Sequence, residues 1–402
     1  KAFYRLGAGQ YPLLVSHITD NSKAGFVFRF APPDDPHFAQ SVAVHTAELE
    51  LWKQDQAAWE KSGTDATWQR MVDTGIEQNY RHLRLVIGDG GFQAETGTYA
   101  LIATWFPMVY SVAHRNVLGE DVSPHPDVTH LMVRRMMQCL IRENGSTYVQ
   151  KLNSVAGFDV GWVATNWPLI PDKYKPALLW GWNKVKGVKD EQSIANILDG
   201  KDLSGLEPIF AFVHYPTGMT PQHPSKVMPL HWEAPTFGHH TFRSGWQGND
   251  EFITQVFLKA SLISGWNHPN SGAFRLFGLG REWSTGSLVR VGFRDQESCV
   301  LLPKDDLEIG GCGRLAFLKT QNDGSAAITI DYKDVYASSK SKLYDGNLIR
   351  WPERFVESGV SGLRAFAVDY SGKSGAPCLF VMVDKIDGGK DRQWQWIIPQ
   401  GA

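Results

Sequence analysis

The spacing of apolar residues changes partway along this chain. Phe38, Val42, His45, Leu49 and Trp52 recur at alternating steps of four and three, the stripe of an amphipathic helix. Thr64 or Asp65 can cap a second helix carrying Trp68, Met71, Val72, Ile76, Leu83 and Val86. A third is expected from Tyr99 to Leu118. Pro107 should kink or divide it, because proline lacks an amide donor and clashes with the preceding turn. The segment 131–141 predicts a fourth helix, stopped at Asn144-Gly145. Further helices are expected over 175–185, 191–198, 207–214 and 251–262. Residues 216–241 are rich in Pro, His and Gly and predict a linker or cleft loop.

After Ala273 the period becomes two. Segments 288–293, 327–331, 363–369 and 379–384 alternate as strands do. Asn322-Asp323-Gly324, Tyr370-Ser371-Gly372 and Asp387-Gly388-Gly389 supply turns between them. Helices followed by strands predict an α+β protein with segregated layers. The expected division is a helical domain over 1–220 and an antiparallel, sandwich-like β-sheet domain over 221–402.

Composition narrows the function. A chain of 402 residues can bury a sizeable core. Its formal net charge of −2 offers a polyanion no global attraction, which argues against nucleic acid as main partner. No apolar run is long enough to cross a bilayer, so no membrane partner is expected. Lys1 is not an initiator and no secretory leader is visible, so compartment is not readable from the chain itself. Cys139, Cys299, Cys312 and Cys378 show no CxxC spacing, which excludes a zinc ribbon. They suit buried small hydrophobes, with a Cys299–Cys312 bridge left open. The 15 Trp, 12 Tyr and 21 Phe suit stacking on sugar rings, and equally suit core packing.

Two polar segments carry the candidate chemistry. One is Gly88-Asp89-Gly90-Gly91-Phe92, running on to Glu95 and Tyr99. The other is Trp266-Asn267-His268-Pro269-Asn270-Ser271-Gly272-Ala273-Phe274, which sets one imidazole among turn-forming residues before a strand. Together they suggest a site between the helical and sheet domains.

These residues resemble heparinase II/III-like proteins. The first segment is similar to that family's "DGSF-x-EG-xx-Y". Phe242-Arg243-Ser244-Gly245-Trp246 resembles its "R-xx-W", and Asn267 to Phe274 resembles its "HPDAGSF". The matches keep the same order and span roughly residues 21–398. The resemblance implies an (α/α) toroid of helical hairpins, incomplete here at its start, followed by antiparallel sheet layers. It implies cleavage of an acidic polysaccharide or oligosaccharide at a uronic acid by β-elimination, in a secreted or periplasmic setting.

The resemblance also implies roles. Tyr99 and His268 are the proton-transfer pair. His240 is a third catalytic candidate: adjacent histidines on a strand face opposite ways, so only one of His239 and His240 can face the cleft. Asn21 corresponds to the asparagine set against the uronate carboxylate. Glu95, Arg243, Trp266 and Asn267 complete the expected substrate-binding group. For Arg243 an internal salt bridge to Asp250 or Glu251 is an equal alternative, and Glu95 suits the turn that positions Tyr99. A divalent metal, zinc or calcium, has an incomplete ligand set. Trp266 and Asn270 replace family residues of the signature, and Gly286 and the Ser298-Cys299 region stand where later ligands would fall. The alternatives are a non-catalytic glycan-binding relative and a glycoside hydrolase using Asp89 and Glu95, whose close spacing in a turn does not suit two carboxylates flanking a bond.

Overall fold

Antiparallel pairing organises the chain. The computed structural model describes residues 3–5, 12–20, 23–29, 76, 77, 79, 83, 87–93, 98–119, 126–149, 158, 160–189, 207–258, 270–286, 297–302, 307–309, 313–338 and 359–399. The chain divides into two units, Lys1–Glu77 and Gln78–Ala402. The expected helices over 38–52 and 191–198 and the strand over 288–293 lie outside the described residues.

The first unit contains a three-stranded antiparallel sheet of β1 (Phe3–Arg5), β2 (Pro12–Asp20) and β3 (Lys23–Arg29). Sequence periodicity predicted no strands there.

In the second unit a short hairpin, β4 (Ile87–Gly88) and β5 (Phe92–Gln93), precedes helices α1 (Thr98–Leu118) and α2 (Pro126–Gln138). Pro107 does not divide α1; the Ser111 hydroxyl donates to the Pro107 carbonyl at 2.7 Å. The fourth predicted helix ends three residues early. Cys139–Ile141 is strand β6, paired with β7 (Thr147–Val149). Then come α3 (Val160–Asn166), α4 (Lys175–Lys186) and α5 (Glu207–His214). Helix α4 ends as expected of a left-handed cap, at Gly187 with φ 66°.

The helices share one apolar core, which includes Leu131, Met132, Met136 and Met137 of α2, Val163 and Ala164 of α3, and Leu178 and Trp182 of α4. Full burial of each large side chain contributes about 1.5–3 kcal/mol.

Five strands follow in the central sheet. They are β8 (His231–Ala234), β9 (His239–Arg243), β10 (Phe252–Phe257), β11 (Ala273–Gly278) and β12 (Arg281–Ser284), in the order β12-β11-β10-β9-β8. Two expectations are corrected here. The 216–241 stretch is not simply a linker, because it supplies β8 and starts β9. The helix expected over 251–262 is strand β10 instead. Every residue of β9 and β10 is buried, so neither strand shows the polar alternation that would have revealed it.

Strands β13 (Val300–Leu301), β14 (Leu307–Ile309), β15 (Arg314–Thr320), β16 (Ala326–Asp331), β17 (Tyr336–Ser338), β18 (Ser361–Asp369), β19 (Leu379–Asp387) and β20 (Gln393–Trp394) complete the described set. Four of them form the antiparallel sheet β15-β16-β18-β19.

The central sheet is the middle layer of this unit. One face meets α2 and β6, where Leu140 packs with Ile253 and Phe277. The other contributes Phe242, Val256 and Phe274 to a second core with Ile328, Ile330 and Phe366 of the four-stranded sheet. The class is therefore α+β. Cys139 and Cys378 are unbridged thiols, and Cys312 lies outside the described residues.

Candidate active site at one end of the central sheet

Strand register sorts the sequence motifs by position. Ala234, His239, Phe257 and Ala273 are successive cross-strand partners and form one row across the sheet. Arg243, Ile253 and Phe277 form another row, four residues further along β9. At ~3.3 Å per residue these rows are about 13 Å apart.

The Asp89-Gly90-Gly91 turn docks at the His239 end. The Thr236 hydroxyl donates to Asp89 Oδ2 at 2.7 Å, and the Trp232 indole N–H donates to the Gly90 carbonyl at 2.8 Å. Glycine is required at both turn positions. Gly90 has φ 73°, and a Cβ there would lie 2.1 Å from the Glu233 carbonyl oxygen. Gly91 has φ 72°, and its Cβ would meet the His130–Leu131 backbone at 2.5 Å. The turn is thus wedged between α2 and β8. The end of the signature segment reaches the same row: the Gly272 N–H donates to the Phe257 carbonyl at 2.7 Å, and the Ala273 N–H to the Asn270 carbonyl at 2.9 Å.

A buried polar cluster lies beneath this end, on the face toward α2. It includes Arg134 and Gln138 from α2, His239 and Thr241 from β9, Gln255 from β10 and Arg275 from β11. The Gln138 amide nitrogen is 3.2 Å from His239 Nε2. Burial holds the His239 imidazole well below its ordinary pKa, and the positive Arg134 adds to this. The ring is neutral at physiological pH. Gln138 Oε1 and Thr241 Oγ1 are buried without a hydrogen-bond partner among the described residues. Arg275 pairs with Glu297 at 2.5 Å inside the protein.

Arg243, at the other end, is fully engaged. Its guanidinium pairs with Glu251, donates to the Met137 and Cys139 carbonyls at 2.9 Å each, and lies 3.6 Å from the centre of the Trp246 ring. Its side chain is 1% exposed. This is the internal ion pair that stood as the alternative to carboxylate recognition. A substrate would have to displace Glu251 to use Arg243, leaving a buried charge uncompensated. The "R-xx-W" segment therefore ties the sheet to the end of α2.

His240 faces away from α2. It lies directly opposite Glu233 and its ring is parallel to that of His231, with centroids 5.9 Å apart. The histidine on the helical side is His239, together with Gln138, Gln255 and Arg134, none of which the sequence pattern singled out. Strand parity carried the signal: His239, Thr241 and Arg243 share a face once 239–243 is a strand. Tyr99 is in the first turn of α1, its side chain outside the described set. Asn21, Glu95, Trp266, Asn267 and His268 lie outside the described residues.

The metal ligand set implied by the family resemblance does not fit these residues. A Cβ at Gly286 would be 1.7 Å from Arg275 Nη2, so the Arg275–Glu297 pair fills that space. Ser298 there is held by Ser284, with hydroxyls 2.9 Å apart.

No protein-family model matches this sequence, and no curated protein matches it significantly. Among solved structures, the chain is similar to a crystal structure of heparinase III, with 13% identity, a TM-score of 0.46, and 79% of this chain and 43% of that one covered. It is similar to a second heparinase III, with methylated lysines, at 13% identity and a TM-score of 0.43, covering 82% of this chain and 43% of that one. The chain spans less than half the length of these structures, and the likeness is one of fold.

Proposed function

We propose that this chain is a polysaccharide lyase that cleaves a uronate-containing glycan by β-elimination, at the His239 end of the central sheet. The observation that carries this is convergence. The Asp89-Gly90-Gly91 turn, His239 and the 270–273 segment, far apart in sequence, lie at the same end of the central sheet as a buried polar cluster. Tyr99 follows that turn by eight residues, and His268 precedes Asn270 by two. In this proposal the helical segments form part of an (α/α) toroid, and the protein works outside the cytoplasm.

Elimination beside a uronate has three requirements. The carboxylate must be neutralised so that charge at C5 can delocalise. A base must take the C5 proton, and an acid must protonate the leaving oxygen. We assign proton transfer to Tyr99 and His268. A phenol needs nearby positive charge to act as a base near neutral pH. Arg134 supplies buried positive charge at this end of the sheet, whereas the charge of Arg275 is matched by Glu297. Asn21 is assigned to the carboxylate, and Glu95, Trp266 and Asn267 to the surrounding sugar. His239 takes the substrate-side place expected of His240, because it faces the helical layer.

The test is ultraviolet absorbance of 4,5-unsaturated product from alginate, glucuronan, heparan, chondroitin, hyaluronan and ulvan. Turnover is expected on at least one. Tyr99→Phe should lower kcat by about two orders of magnitude or more while glycan binding persists. Binding without any unsaturated product on every polymer would replace the lyase with a glycan-binding relative. Reducing ends without unsaturation would indicate hydrolysis.

A further inference from the structure

We propose that His231, Glu233 and His240 form a binding site for one divalent transition-metal ion of the zinc class, on the sheet face opposite α2. The inference does not rest on the lyase assignment.

Strand geometry brings the three side chains together. His231 and Glu233 are two residues apart on β8, so they share a face, and Glu233 is the direct cross-strand partner of His240. One donor atom from each lies within 4.8 Å of the other two. Zinc holds imidazole nitrogen and carboxylate oxygen at about 2.0–2.2 Å, which sets ligand-to-ligand gaps of about 3.4 Å. Rotation of the exposed Glu233 side chain and a small shift of His231 close that difference.

The second observation concerns unsatisfied nitrogen. His240 is 0% exposed, and neither of its ring nitrogens has a hydrogen-bond partner among the described residues; the buried Nε2 of His231 has none there either. A buried imidazole without partners carries an uncompensated desolvation cost, which coordination to a cation offsets. Phe242 stacks on His231 at 4.9 Å and forms an apolar wall. Two neutral imidazoles and one carboxylate favour zinc-class ions over calcium or magnesium, which prefer all-oxygen sets. Three protein ligands leave a fourth position for water on the exposed Glu233 side.

The site has a structural consequence. Strand β8 is at the edge of the central sheet, and between the two ligands His231 and Glu233 it carries Trp232, which holds the Gly90 carbonyl. A bound ion would fix the strand on which the Asp89-Gly90-Gly91 turn docks.

The test uses the full chain, stripped with a chelator and dialysed. It is titrated with zinc chloride by calorimetry and with cobalt chloride by visible absorption. One ion per chain is expected, with cobalt bands of a nitrogen–oxygen site and a higher Tm on zinc addition. His240 is fully buried and its replacement can fail to fold, so Glu233→Gln and His231→Gln carry the test. Each should weaken zinc binding at least about tenfold with an unchanged circular dichroism spectrum. Absence of stoichiometric binding, wild-type affinity in both variants, or loss on His268→Ala with Glu233→Gln unaffected would overturn the assignment.

Discussion

The two ends of the central sheet use polar residues in opposite ways. At the Arg243 end each charge is matched. Glu251 takes the guanidinium, main-chain carbonyls take further N–H groups, and Trp246 covers the flat face. At the His239 end a neutral imidazole and a positive guanidinium lie beside a glutamine oxygen and a threonine hydroxyl that lack partners among the described residues. The first arrangement fixes geometry. The second retains hydrogen-bonding capacity for something else. A motif rich in charge is therefore not by itself a site: Arg243 looks like an anion receptor in sequence and serves as an internal tie.

The largest effect should come from breaking that tie. Arg243→Met leaves Glu251 buried and unpaired, and should cost about 3–5 kcal/mol in chemical denaturation. Arg243→Met combined with Glu251→Met should recover much of the loss. A single Arg243 variant of normal stability that loses only turnover would reverse the contrast between the two ends. Next in size is Gly90→Ala. Its positive φ and the close Glu233 carbonyl predict a loss of about 1–3 kcal/mol. Glycan cleavage should fall with it, because the turn anchors the segment leading to Tyr99. Thr236→Val removes the hydroxyl from Asp89 and should cost about 1 kcal/mol. Those two variants sharpen the comparison by disturbing the His239 end while leaving the Arg243–Glu251 pair intact.

The smallest effect lies away from both ends. His214 on α5 bonds the Ala164 carbonyl of α3 at 2.7 Å, and burial lowers its pKa. Protonation therefore favours the unfolded chain. The stability it contributes is full above about pH 6.5, the unfolded value, and declines as pH falls below it. His214→Gln should flatten that part of the stability–pH curve, measured by denaturant midpoint between pH 7 and 5.

Legibility followed periodicity. Helices α4 and α5 show their stripes. Strands β16 and β18 show alternation because one face of each is buried more deeply than the other. Strand β10 lacked that signal, since Phe252 to Phe257 are buried on both faces. In β8 and β9 the histidines, Glu233 and Thr241 gave the composition of a loop. At the site, the sequence singled out Asp89-Gly90-Gly91 as polar and turn-forming. Its partner Thr236 lies 147 residues away, beyond any local pattern. The choice between His239 and His240 turned on strand parity, which became readable only with the register. The His268 segment and the Tyr99 side chain belong to positions outside the described set, so their roles rest on motif order.

The Asp89–Thr236 bond also bears on how the chain acquires its shape. Bringing together groups 147 residues apart costs about 4 kcal/mol in loop entropy, far more than one hydrogen bond returns. The contact can therefore close only after α2 and the β8–β9 hairpin have formed and begun to associate. Its closure should belong to a late, slow stage of folding, so a variant lacking it would reach its secondary structure at the normal rate and then stall before the layers lock together.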